Sequence, residues 1–120
     1  MARFVDGFVL PIPKKNAAAY RRMASKAGKI WREHGALEVR ECMAADVKPG
    51  RYTSFPQSVK LKAGEAVWFS WIVFKSRKHR DRVNARVMKD QRLASMMDPE
   101  NMPFDGKRMI FGGFEVRVDL

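Results

Sequence analysis

Residues 66–74, Ala-Val-Trp-Phe-Ser-Trp-Ile-Val-Phe, constrain this chain more than any other stretch. Read with period two, Val67, Phe69, Trp71 and Val73 fall on one side of a strand, and Trp68, Ile72 and Phe74 on the other. A strand that is apolar on both sides cannot sit at a wet surface. Its sheet must be covered twice, and any architecture proposed for 120 residues has to supply both covers.

Three other strands follow from patterning. Arg3 to Pro11 places Phe4, Phe8 and Leu10 on one face, with Asp6 among them, and Val5 and Val9 on the other. Leu37 to Met43 alternates, with Leu37, Val39 and Met43 opposed by Glu38, Arg40 and Cys42. Arg108 to Asp119 puts Ile110, Phe114, Val116 and Val118 on one side.

Two helices separate the strands. Tyr20, Met23, Ala24, Ala27, Ile30 and Trp31 recur at spacings of three and four and form one helical stripe, entered after Pro13 and ended at His34-Gly35. A second helix is expected from an N-cap at Ser76 to about Leu93, with a thin apolar stripe of Val83, Val87, Met88 and Leu93. Asp46 to Pro56 reads as a turn-rich loop, with room for a short extra strand around Gln57 to Leu61. Ala94 to Gly106 reads as turns leading into the last strand.

The order strand, helix, strand, strand, helix, strand is the split βαβ pattern of an α+β, ferredoxin-like fold in one domain over residues 1–120. Its two helices cover one face of the sheet. The simplest cover for the other face is a second copy, so the expectation is a homodimer through the sheet face, a dimeric α/β barrel.

The net charge of +11 raises the case for an acidic partner. It is concentrated in the two helical segments, Lys14 to Glu33 and Lys75 to Arg92, each of which nets +6. Arg77, Lys78, Arg82, Arg86 and Lys89 are the candidates for a face that binds nucleic acid or another polyanion. The other reading is a solvated surface, which the absence of Gly-aromatic RNA-binding strands favours. One cysteine excludes an intrachain disulfide and fits a reducing, cytoplasmic setting. No signal peptide or membrane span is expected, because the longest apolar run is about half of what a spanning helix needs. Neither a metal nor a cofactor is expected: two separated histidines and one cysteine lack zinc-like spacing.

Six residues are candidates for a ligand pocket: Asp6, Glu41, Cys42, Asp105, Lys107 and Arg108. Asp6 reads either as a buried general base or as a structural acceptor paired with Arg or backbone. Asp105, Lys107 and Arg108 read either as the mouth of a cleft or as an Asp-Gly turn with two solvated cations. Cys42 needs a basic neighbour to act as a nucleophile. His34 is expected to serve a helix end and His79 to face solvent.

Four stretches carry a resemblance: Phe4-Val5-Asp6-Gly7-Phe8-Val9, Glu41-Cys42-Met43-Ala44-Ala45-Asp46-Val47, Val67-Trp68-Phe69-Ser70-Trp71-Ile72, and Met102-Pro103-Phe104-Asp105-Gly106-Lys107-Arg108-Met109-Ile110-Phe111-Gly112-Gly113-Phe114-Glu115. Together they resemble the YbaA-like bacterial proteins, a family of unknown function. The resemblance implies the dimeric α/β-barrel fold and carries over no catalytic residue. Some proteins with that barrel are cofactor-independent monooxygenases, isomerases or haem-handling enzymes, which leaves a small-molecule protein or enzyme as one expectation and polyanion binding as the alternative.

Overall fold

The computed structural model describes residues 1–120. Four strands, β1 (Phe4–Pro13), β2 (Glu38–Met43), β3 (Glu65–Phe74) and β4 (Ile110–Glu115), form one antiparallel sheet in the order β2-β3-β1-β4. The ten-residue strands β1 and β3 pair along their whole length at its centre, Phe4 opposite Phe74 and Pro13 opposite Glu65. The doubly apolar strand is thus an inner strand, as its composition requires.

The helices α1 (Ala17–Glu33) and α3 (Arg77–Met88) pack on one face of the sheet. On that face β1 turns Phe4, Asp6, Leu10 and Ile12 inward, all buried, and β3 turns in Trp68, Ser70, Ile72 and Phe74. The core is in two parts. Phe4, Ile30, Ala36, Ile72, Phe74, Val83, Val87 and Leu93 form one cluster. Leu10, Ile12, Tyr20, Ala24 and Trp68 form the other, and Phe8 packs against both.

The opposite face carries Phe69, Ile110 and Phe114, exposed by 42%, 46% and 63%; the chain covers only its end at Pro11 and Val67, where Phe55 packs beside Phe69. Its polar side chains on β2, Glu38 and Arg40, pair with each other at 3.4 Å. Trp71 Nε1 donates to Glu38 Oε2 at 2.7 Å, and Phe69 stands 5.8 Å from Phe55 and 5.6 Å from Trp71 between ring centres.

Local chemistry explains where the elements stop. α1 ends at His34, and Gly35 takes φ +119°, a conformation that disfavours any side chain. The freed carbonyls at this end are capped by arginines: Arg86 Nη2 donates to His34 O at 2.8 Å, and Arg32 Nη1 to Ala36 O at 3.1 Å. No helix is long and apolar enough to cross a membrane.

Four sequence expectations are corrected. The second long helix is two, because Asp90 accepts the Arg92 amide at 2.9 Å and so caps a new helix, α4 (Gln91–Met96), which turns Leu93 into the core. Gln57 to Leu61 holds no strand. Ser54 caps a one-turn helix, α2 (Phe55–Ser58), and Lys60 follows at φ +50°. β4 is shorter than the Arg108 to Asp119 pattern, and Val118 is exposed.

The fourth correction concerns His79, which is buried rather than solvent-facing. Ser76 Oγ accepts the His79 amide at 3.1 Å while His79 Nδ1 accepts the Lys75 amide at 2.9 Å, a variant of the capping box in which the side chain reaches one residue past the N-cap. Its ring stands edge-on to Phe74. Burial, aided by the charges of Lys75, Arg82 and Arg86, holds its pKa below the ordinary histidine value of 6.5. The unfolded chain therefore takes up this proton first as pH falls, so stability present above pH 6.5 declines as pH drops toward the lowered value. Urea denaturation at pH 7 and pH 5 should show a smaller loss for His79→Gln than for the wild type. Equal losses would mean that His79 does not link folding to pH.

Candidate functional site

A cavity of about 400 Å³ lies between the two parts of the core, under α1 and beside α3. Ala24, Ala27 and Gly28 hold it open, because their small side chains fall on the stretch of α1 that spans the sheet. The floor is Phe8 and Leu10 of β1, Val39 and Glu41 of β2, and Ser70 and Ile72 of β3. Met88 of α3 and Phe111 of β4, both largely exposed, mark its rim. The lining is predominantly apolar, and its polar groups gather at two stations.

Glu41 and Tyr20 make the first. The Tyr20 hydroxyl donates to Glu41 Oε1 at 2.8 Å. Burial pushes the Glu41 carboxyl above its ordinary range, and the tyrosine hydrogen bond offsets this only in part. Burial, and then the charge and hydrogen bond of Glu41, push the Tyr20 phenol far above its ordinary range, so it stays protonated. Tyr20 is itself fixed edge-on between Trp68 and Phe104, at 4.9 and 5.4 Å. The pair joins a proton donor locked in place to a carboxyl with one oxygen engaged.

Asp6 and Arg80 make the second. Arg80 Nη1 donates to Asp6 Oδ1 at 2.7 Å and Arg80 Nε to Asp81 Oδ1 at 2.8 Å, while the guanidinium lies 4.7 Å from the centre of the Phe4 ring. Asn84 Nδ2 approaches Asp6 Oδ2 at 3.4 Å, and Asn84 Oδ1 accepts from Trp31 Nε1 at 3.0 Å. A chain of groups from α1 and α3 thus orients one carboxylate and one guanidinium. Gly113, opposite Asp6 in the β1–β4 register, leaves the space for it. A Cβ there would sit 2.6 Å from the Phe4 ring and 3.0 Å from Arg80 Nη1.

Of the six pocket candidates the structure brings Asp6 and Glu41 into this cavity, and Asp6 takes the Arg-paired form of its two readings. The other four lie elsewhere. Cys42 follows Glu41 by one residue and so faces the opposite side of the sheet, in a shallow apolar groove with Val67, Phe69 and Phe55. Asp105 accepts the Lys107 amide at 3.0 Å and caps its own turn, and Lys107 is exposed. Arg108 is a clamp: it pairs with Glu65, Nη2 to Oε1 at 2.9 Å, and donates to the carbonyls of Val59 and Lys60 at 3.2 and 3.0 Å. That hydrogen bond holds the Glu65 carboxyl below the usual range.

Five groups in the cavity escaped the sequence reading: Tyr20, Trp31, Ser70, Arg80 and Asn84. Arg80 was hidden in a run of charge. Its signal was spacing, since Arg80, Asn84 and Val87 recur at four and three and face inward, whereas Arg77, Lys78, Arg82, Arg86 and Lys89 are exposed.

Comparison with known proteins adds the following. The model of the family described as "Protein of unknown function (DUF1428)" matches residues 3–106. The uncharacterized protein YbaA of Escherichia coli (strain K12) is 47% identical over 117 residues, which cover 98% of each chain, and the YbaA protein of Shigella flexneri matches to the same extent. Among solved structures, a dimeric ferredoxin-like protein from an uncultured marine organism superposes with a TM-score of 0.60 at 9% identity, covering all of both chains. A nipsnap family protein with unknown function from Agrobacterium tumefaciens str. C58 gives 0.58 at 14% identity, over 96% of this chain and 88% of that one. These likenesses show the ferredoxin-like fold.

Proposed function

Because the chain belongs to the DUF1428 family, proteins of unknown function, we propose a reading from its own cavity: a homodimer, paired through the open sheet face, in which each protomer binds an apolar small molecule between sheet and helices. The observation that carries the reading is the cavity itself. Its volume of about 400 Å³ lies in the range of ligand sites. Its wall is apolar except at two stations, and each station is held from outside the lining, Tyr20 by Trp68 and Phe104 and Arg80 by Asp81.

Two features support pairing through the sheet: the uncovered apolar face, and the fold shared with a protein described as dimeric. The cavity lies on the other side of the sheet, so pairing leaves it free. The Glu41 carboxyl, raised by burial, is suited to exchange a proton with a bound molecule, which would make the protein a cofactor-independent enzyme. In this reading the exposed cations of α3 form a solvated face.

The test uses prodan, an uncharged naphthalene ketone whose emission shifts to the blue in apolar surroundings. Wild-type protein should bind it with a blue shift at micromolar concentrations. Ala27→Leu puts a larger side chain into the cavity and should weaken that binding at least tenfold while leaving the far-ultraviolet circular dichroism unchanged. Equal binding by both proteins would place the dye elsewhere and remove the basis for the reading.

A further inference from the structure

Three polar groups meet the cavity with bonding capacity left over. Arg80 spends Nη1 on Asp6 and Nε on Asp81, which leaves Nη2 without a protein acceptor. Glu41 accepts from Tyr20 on Oε1 and from nothing on Oε2. Ser70, 96% buried by its 4% exposure, lies on the floor, and its hydroxyl has no side-chain or backbone partner. The only side-chain polar atom both sealed from solvent and unpartnered is Trp68 Nε1, so the Ser70 hydroxyl opens onto the cavity rather than into packed core. All three therefore face the open volume rather than packed protein, and an occupant that displaces the water there must pair them.

Their placement sets its shape. In the sheet register Glu41 lies beside Ser70, and Ser70 beside Phe8, while Asp6, which holds Arg80, is two residues further along β1. Glu41 and Asp6 are thus separated by two strand spacings and two residues of rise, on the order of 12 Å between backbone positions. Phe8 and Ile72 lie between them, apolar, with Ser70 near the Glu41 end.

Their charges set its chemistry. The Arg80 cation is already matched by Asp6 and faces Asp81 as well, so an anionic group gains little there, whereas a neutral carbonyl oxygen takes the free Nη2–H without adding charge. At the other end, a carboxyl in apolar surroundings repels an anion and accepts from a hydroxyl. A cation would satisfy Glu41 but must enter a chain of net charge +11 past Arg80.

We propose that the ligand of this cavity is an elongated, uncharged oxo compound, its carbonyl oxygen on Arg80 Nη2 and a hydroxyl at its far end on Glu41 Oε2, with Ser70 serving the Glu41 end. This deepens the proposed function and rests on it. The proposal commits to two ends of opposite hydrogen-bonding character and to zero net charge.

Three naphthalenes of matched size test it by titration calorimetry: 2-acetyl-6-hydroxynaphthalene, 2-acetylnaphthalene, which lacks the hydroxyl, and 6-hydroxy-2-naphthoic acid, which replaces the ketone by a carboxylate. The hydroxyketone should bind at least tenfold tighter than either of the others. Glu41→Leu should erase its advantage over 2-acetylnaphthalene. Asn84→Ala, which leaves Arg80 in place but loosens Asp6, the carboxylate that holds it, should reduce the advantage only where the ketone is compared with the acid. If the acid binds as well as the hydroxyketone, or Glu41→Leu preserves the preference, the proposal is wrong even where prodan shows the cavity to be a binding site. If none of the three binds and prodan also fails, both readings fall together.

Discussion

Asp6→Ala will destabilise the protein by about 3 kcal/mol, the scale on which a buried ion pair responds to losing one member. Asp6 is 7% exposed and its partner Arg80 is buried on most sides, with a glycine at position 113 so that both fit. Removing the carboxylate leaves Arg80 with Asp81 alone, and that group is mostly in water, where it compensates poorly for lost hydration. Asn84 loses an acceptor in the same step. Arg80→Met should recover part of the loss when combined with Asp6→Ala, because the penalty belongs largely to the unpaired cation. Chemical denaturation of the four proteins of this cycle decides the matter. A loss below about 1 kcal/mol for Asp6→Ala, the size of an exposed pair, would show that the station is wet and that its groups are not preorganised.

The second large effect is on assembly. Phe69→Glu places a carboxylate on the apolar sheet face, and in the homodimer proposed above each copy would bring one to the interface, so the substitution acts twice. Burying such charges without partners costs several kcal/mol. Dissociation should therefore strengthen by at least a thousandfold, which sedimentation equilibrium reads as a change from the mass of two chains to that of one. Prodan should still bind, because the cavity is on the far side of the sheet. A wild-type chain that sediments as a monomer, or a Phe69→Glu variant that keeps the double mass, would refute pairing through this face.

The fold was legible because its strongest signals are local and periodic. Two-sided apolar strands and a three-and-four stripe identify an inner strand and a packed helix without knowledge of the rest of the chain. Where an end depended on one side-chain oxygen, as at Asp90, periodicity ran straight through a helix break. The site was legible only in part. Asp6 and Glu41 stood out as carboxylates on apolar strands. Their partners did not, because Tyr20 fits a core stripe and Arg80 fits a run of charge, and neither pattern says which acid lies opposite in space. Cys42 and Arg108 were drawn in by residue type. One lies across the sheet from the cavity by strand parity, and the other is spent on Glu65 and two carbonyls.

The divided core has a mechanical consequence. α1 rests at one end on the cluster that holds Tyr20 and Ala24 and at the other on the cluster that holds Ile30, so it behaves as a beam on two piers. The span from residue 24 to residue 30 is about 9 Å at the helical rise. At Ala27 headroom can be altered by substitution without moving the supports; Gly28 is the exception along the beam, because a Cβ there would sit 3.1 Å from Val39. The distance between the piers is fixed by helix geometry, so a guest longer than the span must lie diagonally across the strands, as the line from Glu41 to Asp6 does.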